Sequence, residues 1–394
     1  MVSIYQSHPL IIKLLTEKPR SLADLQAATQ VSLPKLRRVV QELTASNWIR
    51  PVGQSIGTGR RPAMLFGLSD TDYLIVGVHL QLPGIRLVTV DLTGKVIDET
   101  RRPYNDSMMP NDAIREITTY VEAMRNAHAG RHVLGVGVAT PGYVDASNGE
   151  ILTIERVPAW QSFPIRSRLE ASLNLPITIA NDIDALATAE LHYTDTRSSQ
   201  DLIYLGYTDG IKTSMFLDGA LYKGPFGNAG ILGRIVISDD GTRLEEVASV
   251  SAICDQFDAH SNSDNEQHRQ IGAIADRHVK FHRILELAAD GDSVCAAILD
   301  RATDELALSI SNLLCLLQPS VLVIGGTLST MPVPLFEQFE RIIRRRLPPL
   351  ISNRLVIEQA RLTAANGVAV GVAHQFLLEY LNSELFIQHI SETA

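Results

Sequence analysis

The feature that most constrains this chain is a plan that it states twice. Residues 74–80 (LIVGVHL), 86–92 (RLVTVDL) and 94–98 (GKVID) read as a β-meander. A helical stretch over 111–127 follows, and then a buried strand over 133–139 (VLGVGVA). The plan returns near Leu202, with strands at 203–207 (IYLGY) and 213–217 (TSMFL) joined by a Thr208-Asp209-Gly210 turn. Helices follow from about Val250, and the strand 320–324 (SVLVI) ends in Gly325-Gly326. Strands are identified by β-branched runs bounded by turn residues, helices by apolar spacing of three and four. Two meanders, each followed by helices and a further strand, predict a two-lobed α/β fold of the actin-like ATPase kind, with a cleft between lobes.

The first seventy residues are of another kind. Leu10, Ile11, Leu14 and Leu15 form a helical stripe. Ser21 and Asp24 have capping-box spacing and start a second short helix through Ala28. Ser32 is placed to cap a third helix, with Pro34 in its first turn. In that helix Leu36, Val39, Val40 and Leu43 face inward, leaving Lys35, Arg37, Arg38 and Gln41 outside. Residues 48–52 and 63–68 read as strands around a Gly-rich hairpin that carries Arg60 and Arg61. This is the pattern of a winged helix-turn-helix.

Charge supports a nucleic-acid partner for this head alone. The chain carries −9 overall, yet residues 1–70 hold nine basic and four acidic side chains, net +5, which leaves −14 for the rest. A basic module on an acidic body suits phosphate contact by the module only. Lys35, Arg37 and Arg38 are the candidates for groove or phosphate contact, and Arg60 and Arg61 for a minor-groove wing. No apolar run approaches the ~18 residues of a membrane span. Lys13, Lys18 and Arg20 follow the apolar run at 10–12 instead of preceding it, unlike a signal peptide. The expected location is the cytoplasm, without membrane contact. Cys254, Cys295 and Cys315 read as buried thiols.

Residues 177–190 (ITIANDIDALATAE), 227–234 (GNAGILGR) and 244–249 (LEEVAS) resemble segments of the ROK family of sugar kinases and repressors, and Gly59-Arg-Arg-Pro62 resembles the wing tip of its repressor branch. The resemblance covers nearly the whole chain. It implies a domain boundary near residue 70, a body over 71–394, and lobes of about 71–185 and 186–394. It places Asp182 at the family's general base, Asn181 at a sugar-binding amide, Glu245 at a sugar-contacting carboxylate, and Asn228 and Arg234 within the sugar-side loop. Asn181 and Asp182 also stand where a helix N-terminus would need capping. Arg234 could pair with Glu245 or bind an anionic ligand such as a sugar phosphate.

The departures concern catalysis. The family's Asp-x-Gly-Gly-Thr phosphate loop reads His79-Leu-Gln-Leu-Pro83 here. Glycines let backbone N–H groups approach phosphate, and proline removes a donor. The second phosphate hairpin carries Asp209, which repels phosphate, with Lys212 offsetting it in part. The family's sugar-binding glutamate is Ile231, and its zinc-binding histidine is Arg234. The cysteine knuckle is replaced by a run over 237–245 without cysteine, so no metal and no cofactor are expected. His278 and His282, four apart on a helix, lack a third ligand. Trp160 either stacks on a sugar or packs in the core. The Arg341, Arg344, Arg345, Arg346 cluster either contacts DNA or forms a solvated helix face, and the amphipathic tail at 375–387 docks on the body or the head.

The expectation is therefore a DNA-binding transcription regulator, not an enzyme. Its partners are operator DNA, a sugar or sugar-derivative effector, and a second copy in a homodimer or larger homo-oligomer. The rivals are a carbohydrate kinase with an accessory head and an effector-less regulator controlled by a protein.

Overall fold

A computed structural model of the chain describes residues 4–55, 62–80, 84–103, 109–154, 157–193, 201–262 and 264–393. The chain forms two compact units, one of residues 1–197 with 366–394 and one of 198–365.

The first unit starts with α1 (Ile4–Glu17), β1 (Arg20–Ser21), α2 (Leu22–Thr29), α3 (Leu33–Ala45), β2 (Ile49–Gln54) and β3 (Met64–Leu68). The predicted capping box forms, with Ser21 accepting from the Asp24 amide and Asp24 accepting from the Ser21 amide. Gln30 closes α2 in the left-handed conformation. Ser32 sits at the N-cap of α3 but makes no side-chain cap bond, contrary to expectation. The two-residue β1 joins β3 and β2 in a three-stranded sheet of order β1-β3-β2, too short to leave a sequence signature.

The unit continues with β4 (Tyr73–His79), β5 (Gly84–Val90), β6 (Val96–Pro103), α4 (Pro110–Ala127), β7 (His132–Thr140), β8 (Tyr143–Asp145), β9 (Glu150–Thr153), α5 (Ile165–Leu173), β10 (Ile177–Asn181) and α6 (Asp182–Tyr193). Its sheet runs β10-β7-β4-β5-β6. The strands β10, β7 and β4 are parallel, and β5 and β6 form the antiparallel flank. Every residue of β4 is buried, as suits a central strand covered on both faces. The edge strand β6 instead exposes charged residues, which discourages edge-to-edge pairing.

The second unit holds β11 (Leu202–Tyr207), β12 (Ile211–Leu217), β13 (Ala220–Leu221), α7 (Leu244–Ala248), α8 (Val250–His260), α9 (Glu266–Gly272), α10 (Arg277–Ala289), α11 (Ser293–Leu317), β14 (Val321–Gly326), α12 (Val333–Arg346), α13 (Pro349–Ser352) and β15 (Val356–Gln359). Its sheet runs β13-β12-β11-β14-β15, with β11, β14 and β15 parallel. Read from the parallel edge, both units show three parallel strands followed by an antiparallel pair. The duplicated plan of the sequence is therefore a duplicated topology.

The chain returns to the first unit as α14 (Ala364–Leu381) and ends in α15 (Glu384–Thr393). Nearly all described side chains of α14 are buried or half-buried, as expected of a helix that is apolar all round. Glycine makes its seat. A Cβ on Gly77 of β4 would stand 1.9 Å from the Ala369 carbonyl oxygen, and one on Gly137 of β7 2.4 Å from that of Val372. On the opposite side, a Cβ on Gly371 would meet the Ala185 carbonyl of α6 at 1.8 Å. Among the described residues, no helix is long and apolar enough to cross a membrane.

Candidate functional site

On the first unit, Asn181 ends β10 in register with Thr140 of β7, and α6 starts at the next residue. Asn181 is buried, and its Oδ1 accepts from the amides of Ile183 at 3.0 Å and Asp184 at 3.4 Å. Its Nδ2 donates to the Gly142 carbonyl at 3.0 Å. The residue thus caps α6 and pins the loop after β7, the role that competed with ligand binding in the sequence. Asp182 is half-buried, and its Oδ1 accepts from the Ile183 amide at 2.8 Å. A carboxylate oxygen is a hydrogen-bond acceptor, which suits a hydroxyl donor. Behind it, Gln375 of α14 donates to the Asp184 carbonyl at 3.0 Å and to the Thr188 hydroxyl at 2.7 Å. Trp160 is fully buried, with its ring 5.7 Å from that of Phe163. It packs in the core and is not available to stack on a sugar.

On the second unit, the loop 227–230 is pressed against β12. A Cβ on Gly230, which has φ +87°, would lie 1.9 Å from the Thr213 carbonyl oxygen. Asn228 is half-buried and donates from Nδ2 to the Phe226 carbonyl at 2.9 Å. Arg234 Nε meets Glu245 Oε1 at 2.9 Å, so of the two roles open to Arg234 the pairing is the one formed. Both side chains remain partly exposed.

The run in place of the family's zinc knuckle is a tight hairpin. Ile237 donates to the Thr242 carbonyl, and Val236 bridges Arg243. Asp240 accepts from the Ser238 and Thr242 hydroxyls and from the Thr242 amide. These bonds hold its carboxyl down at about 2. Nothing here fits zinc: Arg234 has no lone pair to give, and the Asp240 carboxylate already closes the turn. Another cluster, His268, Asp292 and Cys295, has ligand-like spacing. Its histidine is used up, Nδ1 accepting from the Asn262 amide and Nε2 meeting Asp292 at 2.9 Å. Burial and the neighbouring Asp292 push the Cys295 thiol up to about 12, so it does not supply a thiolate.

The phosphate side has been rebuilt. Residues 81–83 of the first loop lie outside the described residues. His79 at its start is buried, and burial with the nearby Arg86 and Arg101 pushes its imidazolium down to about 3. In the second hairpin, Asp209 accepts from the Ser251 hydroxyl at 3.0 Å and lies 3.8 Å from His278. His278 Nδ1 is 2.9 Å from the Thr327 hydroxyl, and His282 Nε2 is 3.5 Å from that of Thr330. The two histidines fasten α10 to the turn after β14. Gly325 is needed for packing, since a Cβ there would stand 1.9 Å from the Tyr204 hydroxyl.

In the head, Leu36, Val39, Val40 and Leu43 of α3 are all buried, as their spacing predicts. Arg37 and Arg38 are exposed and Lys35 is half-buried. Arg38 meets Glu42 at 2.8 Å, and Glu42 also meets His8 at 2.8 Å. Arg60 and Arg61 lie outside the described residues. In the Arg341–Arg346 cluster, Arg344 binds Glu340 and the Ser352 and Leu355 carbonyls, and Arg346 binds Asp304. Cys254 and Cys295 are buried, but Cys315 only partly so.

What the sequence did not announce is how the head is fastened. Trp48, between α3 and β2, is fully buried in an aromatic cage. Its ring lies 4.7 Å from Tyr73, 5.0 Å from Phe386, 5.8 Å from His389 and 6.2 Å from Tyr380. His389 stands between two hydroxyls, 3.0 Å from that of Tyr73 and 3.3 Å from that of Tyr380. The amphipathic tail therefore meets the body through Gln375 and Phe376 of α14 and the head through Phe386 of α15, and the head core is continuous with residues of β4, β5 and α14.

Comparison with known proteins agrees with this architecture. The chain is 26% identical over 349 residues to the xylose repressor of Caldicellulosiruptor bescii, covering 84% of this chain and 83% of that protein. A crystal structure of a ROK family transcriptional regulator, described as a homologue of the E. coli MLC protein, shares the fold with a TM-score of 0.79. It has 21% identity and covers 98% of this chain and 99% of its own. A ROK family glucokinase from Streptomyces griseus, solved with glucose and AMPPNP, has a TM-score of 0.61 and 22% identity, and covers 77% of this chain and 98% of its own. The family model for ROK matches residues 76–376, and the chain belongs to the ROK family.

Proposed function

We propose that this protein is a transcription regulator whose affinity for an operator responds to a sugar or sugar derivative. The observation that carries this reading is the basic outer face of α3 on a head built into the core that α14 and α15 share. In this reading residues 1–70 are the DNA-binding domain. Lys35, Arg37 and Arg38 contact the groove or phosphates, and Arg60 and Arg61 serve the wing. Asn181, Asp182, Asn228, Arg234 and Glu245 recognise the effector. A relative named as a xylose repressor, and a solved regulator that covers the head as well as the body, support it. Symmetric regulators read paired half-sites, so the working species is a homodimer or a higher homo-oligomer.

Coupling follows from α14. It is seated on α6 through Gly371 and Gln375 and leads into the α15 cage around Trp48. A ligand that shifts α6 moves the support of the head. To regulate, it must bind one arrangement more tightly than the other.

Asp182 keeps a kinase reading in play, since a half-buried carboxylate at a helix start is a serviceable general base. The loss of the loop glycines and threonine to Gln81, Leu82 and Pro83, together with the Asp209 carboxylate, opposes ATP phosphates. Selection of bound fragments from genomic DNA, alongside an ATP-dependent sugar phosphorylation assay, tests the proposal. Enrichment of a discrete site without phosphorylation is the expected result. Phosphorylation without enrichment would replace the regulator by the kinase.

A further inference from the structure

The remodelled start of the phosphate loop leaves a row of basic side chains that catalysis no longer explains. His79 of β4 pairs in register with Arg86 of β5, and Arg86 with Arg101 of β6. Directly opposed residues in antiparallel strands share a face, so the three stand in one line across the sheet. His79 is 3% exposed, and among the described residues its Nδ1 has no hydrogen-bond partner. A buried ring nitrogen without a partner costs free energy unless a ligand or water satisfies it. Arg86 is held at 2.6 Å by Glu99, which stands beside the row on the same strand as Arg101. Arg101 is exposed. Among the described residues, the cluster thus carries one guanidinium compensated by Glu99 and one, that of Arg101, with no ion pair.

We propose that His79, Arg86 and Arg101 form an oxyanion site, one that takes a phosphate group either free or carried on a larger molecule. The chemistry divides among the three. A neutral imidazole donates one N–H to an anion at no cost in proton uptake. Arg101 supplies the charge and a planar fork of donors suited to phosphate. Arg86, oriented by Glu99, offers its remaining donors from the middle of the row. The site does not depend on the sugar-side residues, so it stands or falls apart from the effector reading.

Isothermal titration calorimetry of the full chain tests it, first with inorganic phosphate and then with a hexose phosphate. Arg101→Ala removes an exposed edge side chain and should leave the fold intact. Arg102→Ala is the control: Arg102 lies on the other face of β6 and pairs with Glu116 at 3.0 Å. Saturable phosphate binding that weakens at least tenfold in Arg101→Ala and in His79→Asn, but not in Arg102→Ala, is the expected result. Binding of the hexose phosphate alone, with the same dependence on Arg101, upholds the site and assigns the anion to a larger ligand. No binding of either probe, or binding indifferent to Arg101→Ala, would overturn it.

Discussion

Removing Phe386 should undock the C-terminal helix from the head. Phe386 and Ile390 are the buried apolar side chains of α15, while Leu385 and Ile387 are 46% and 38% exposed. Phe386 is 1% exposed and meets Trp48 edge-on at 5.0 Å. Truncating a buried phenylalanine to alanine costs about 3–5 kcal/mol, of which the lost aromatic contact is about 1 kcal/mol. The ten-residue helix is otherwise held by Ile390 and by the His389 contacts to the Tyr73 and Tyr380 hydroxyls, so the loss is large against what remains. The assay is acrylamide quenching of tryptophan fluorescence. The chain has two tryptophans, Trp48 and Trp160, and both are fully buried. Quenching of the native protein should be slight. In Phe386→Ala, Trp48 loses its cover and roughly half the emission should become quenchable, while Trp160 stays shielded. Unchanged quenching, with a stability loss under about 1 kcal/mol, would refute the idea that α15 secures the head.

Further consequences can be measured separately. Arg37→Ala should weaken operator binding and reduce the slope of log affinity against log salt by about one, as expected for one lost phosphate contact. Asp182→Asn should abolish the effector response while leaving effector-free operator affinity within twofold, because Asp182 lies on α6 and not in the head. His79 keeps its proton less well when folded than when unfolded, so the unfolded chain binds the extra proton first and stability falls as pH drops below about 6.5. With the folded value near 3, the loss between pH 7 and pH 5 is roughly 2 kcal/mol, and denaturant titrations of His79→Gln should lack that component. Chelators should leave the melting temperature unchanged, whereas Asp240→Ala, which opens the hairpin over 237–242, should lower it.

Local rules were legible where the sequence alone decides the outcome. The capping box at Ser21 and Asp24 and the inward face of α3 follow from spacing of three and four residues, and both formed. The strands of the two meanders were found to within a few residues, because long β-branched runs between turn residues admit few other conformations. Short or paired elements were missed: β1 has two residues, and β8, β9 and β15 have three or four, below the length at which periodicity speaks. Long-range consequences were not legible either. Trp48 carries no mark of the cage that Tyr380, Phe386 and His389 build from the far end of the chain. Asn181 reads from sequence as either a ligand candidate or a helix cap, and the cap bonds became visible only in the folded chain. The substitution at His79 was visible as a loss. That its ring is buried in line with two arginines required the strand register.

The central claim is ligand-gated operator binding, and fluorescence anisotropy of a labelled operator tests it most directly. The DNA comes from the genomic selection, and the titration is repeated at fixed salt with a panel of neutral, acidic and phosphorylated sugars. Specific binding whose affinity shifts at least fivefold with one sugar, a coupling of about 1 kcal/mol, is the expected result. Specific binding indifferent to the whole panel, or no specific binding at all, would contradict it.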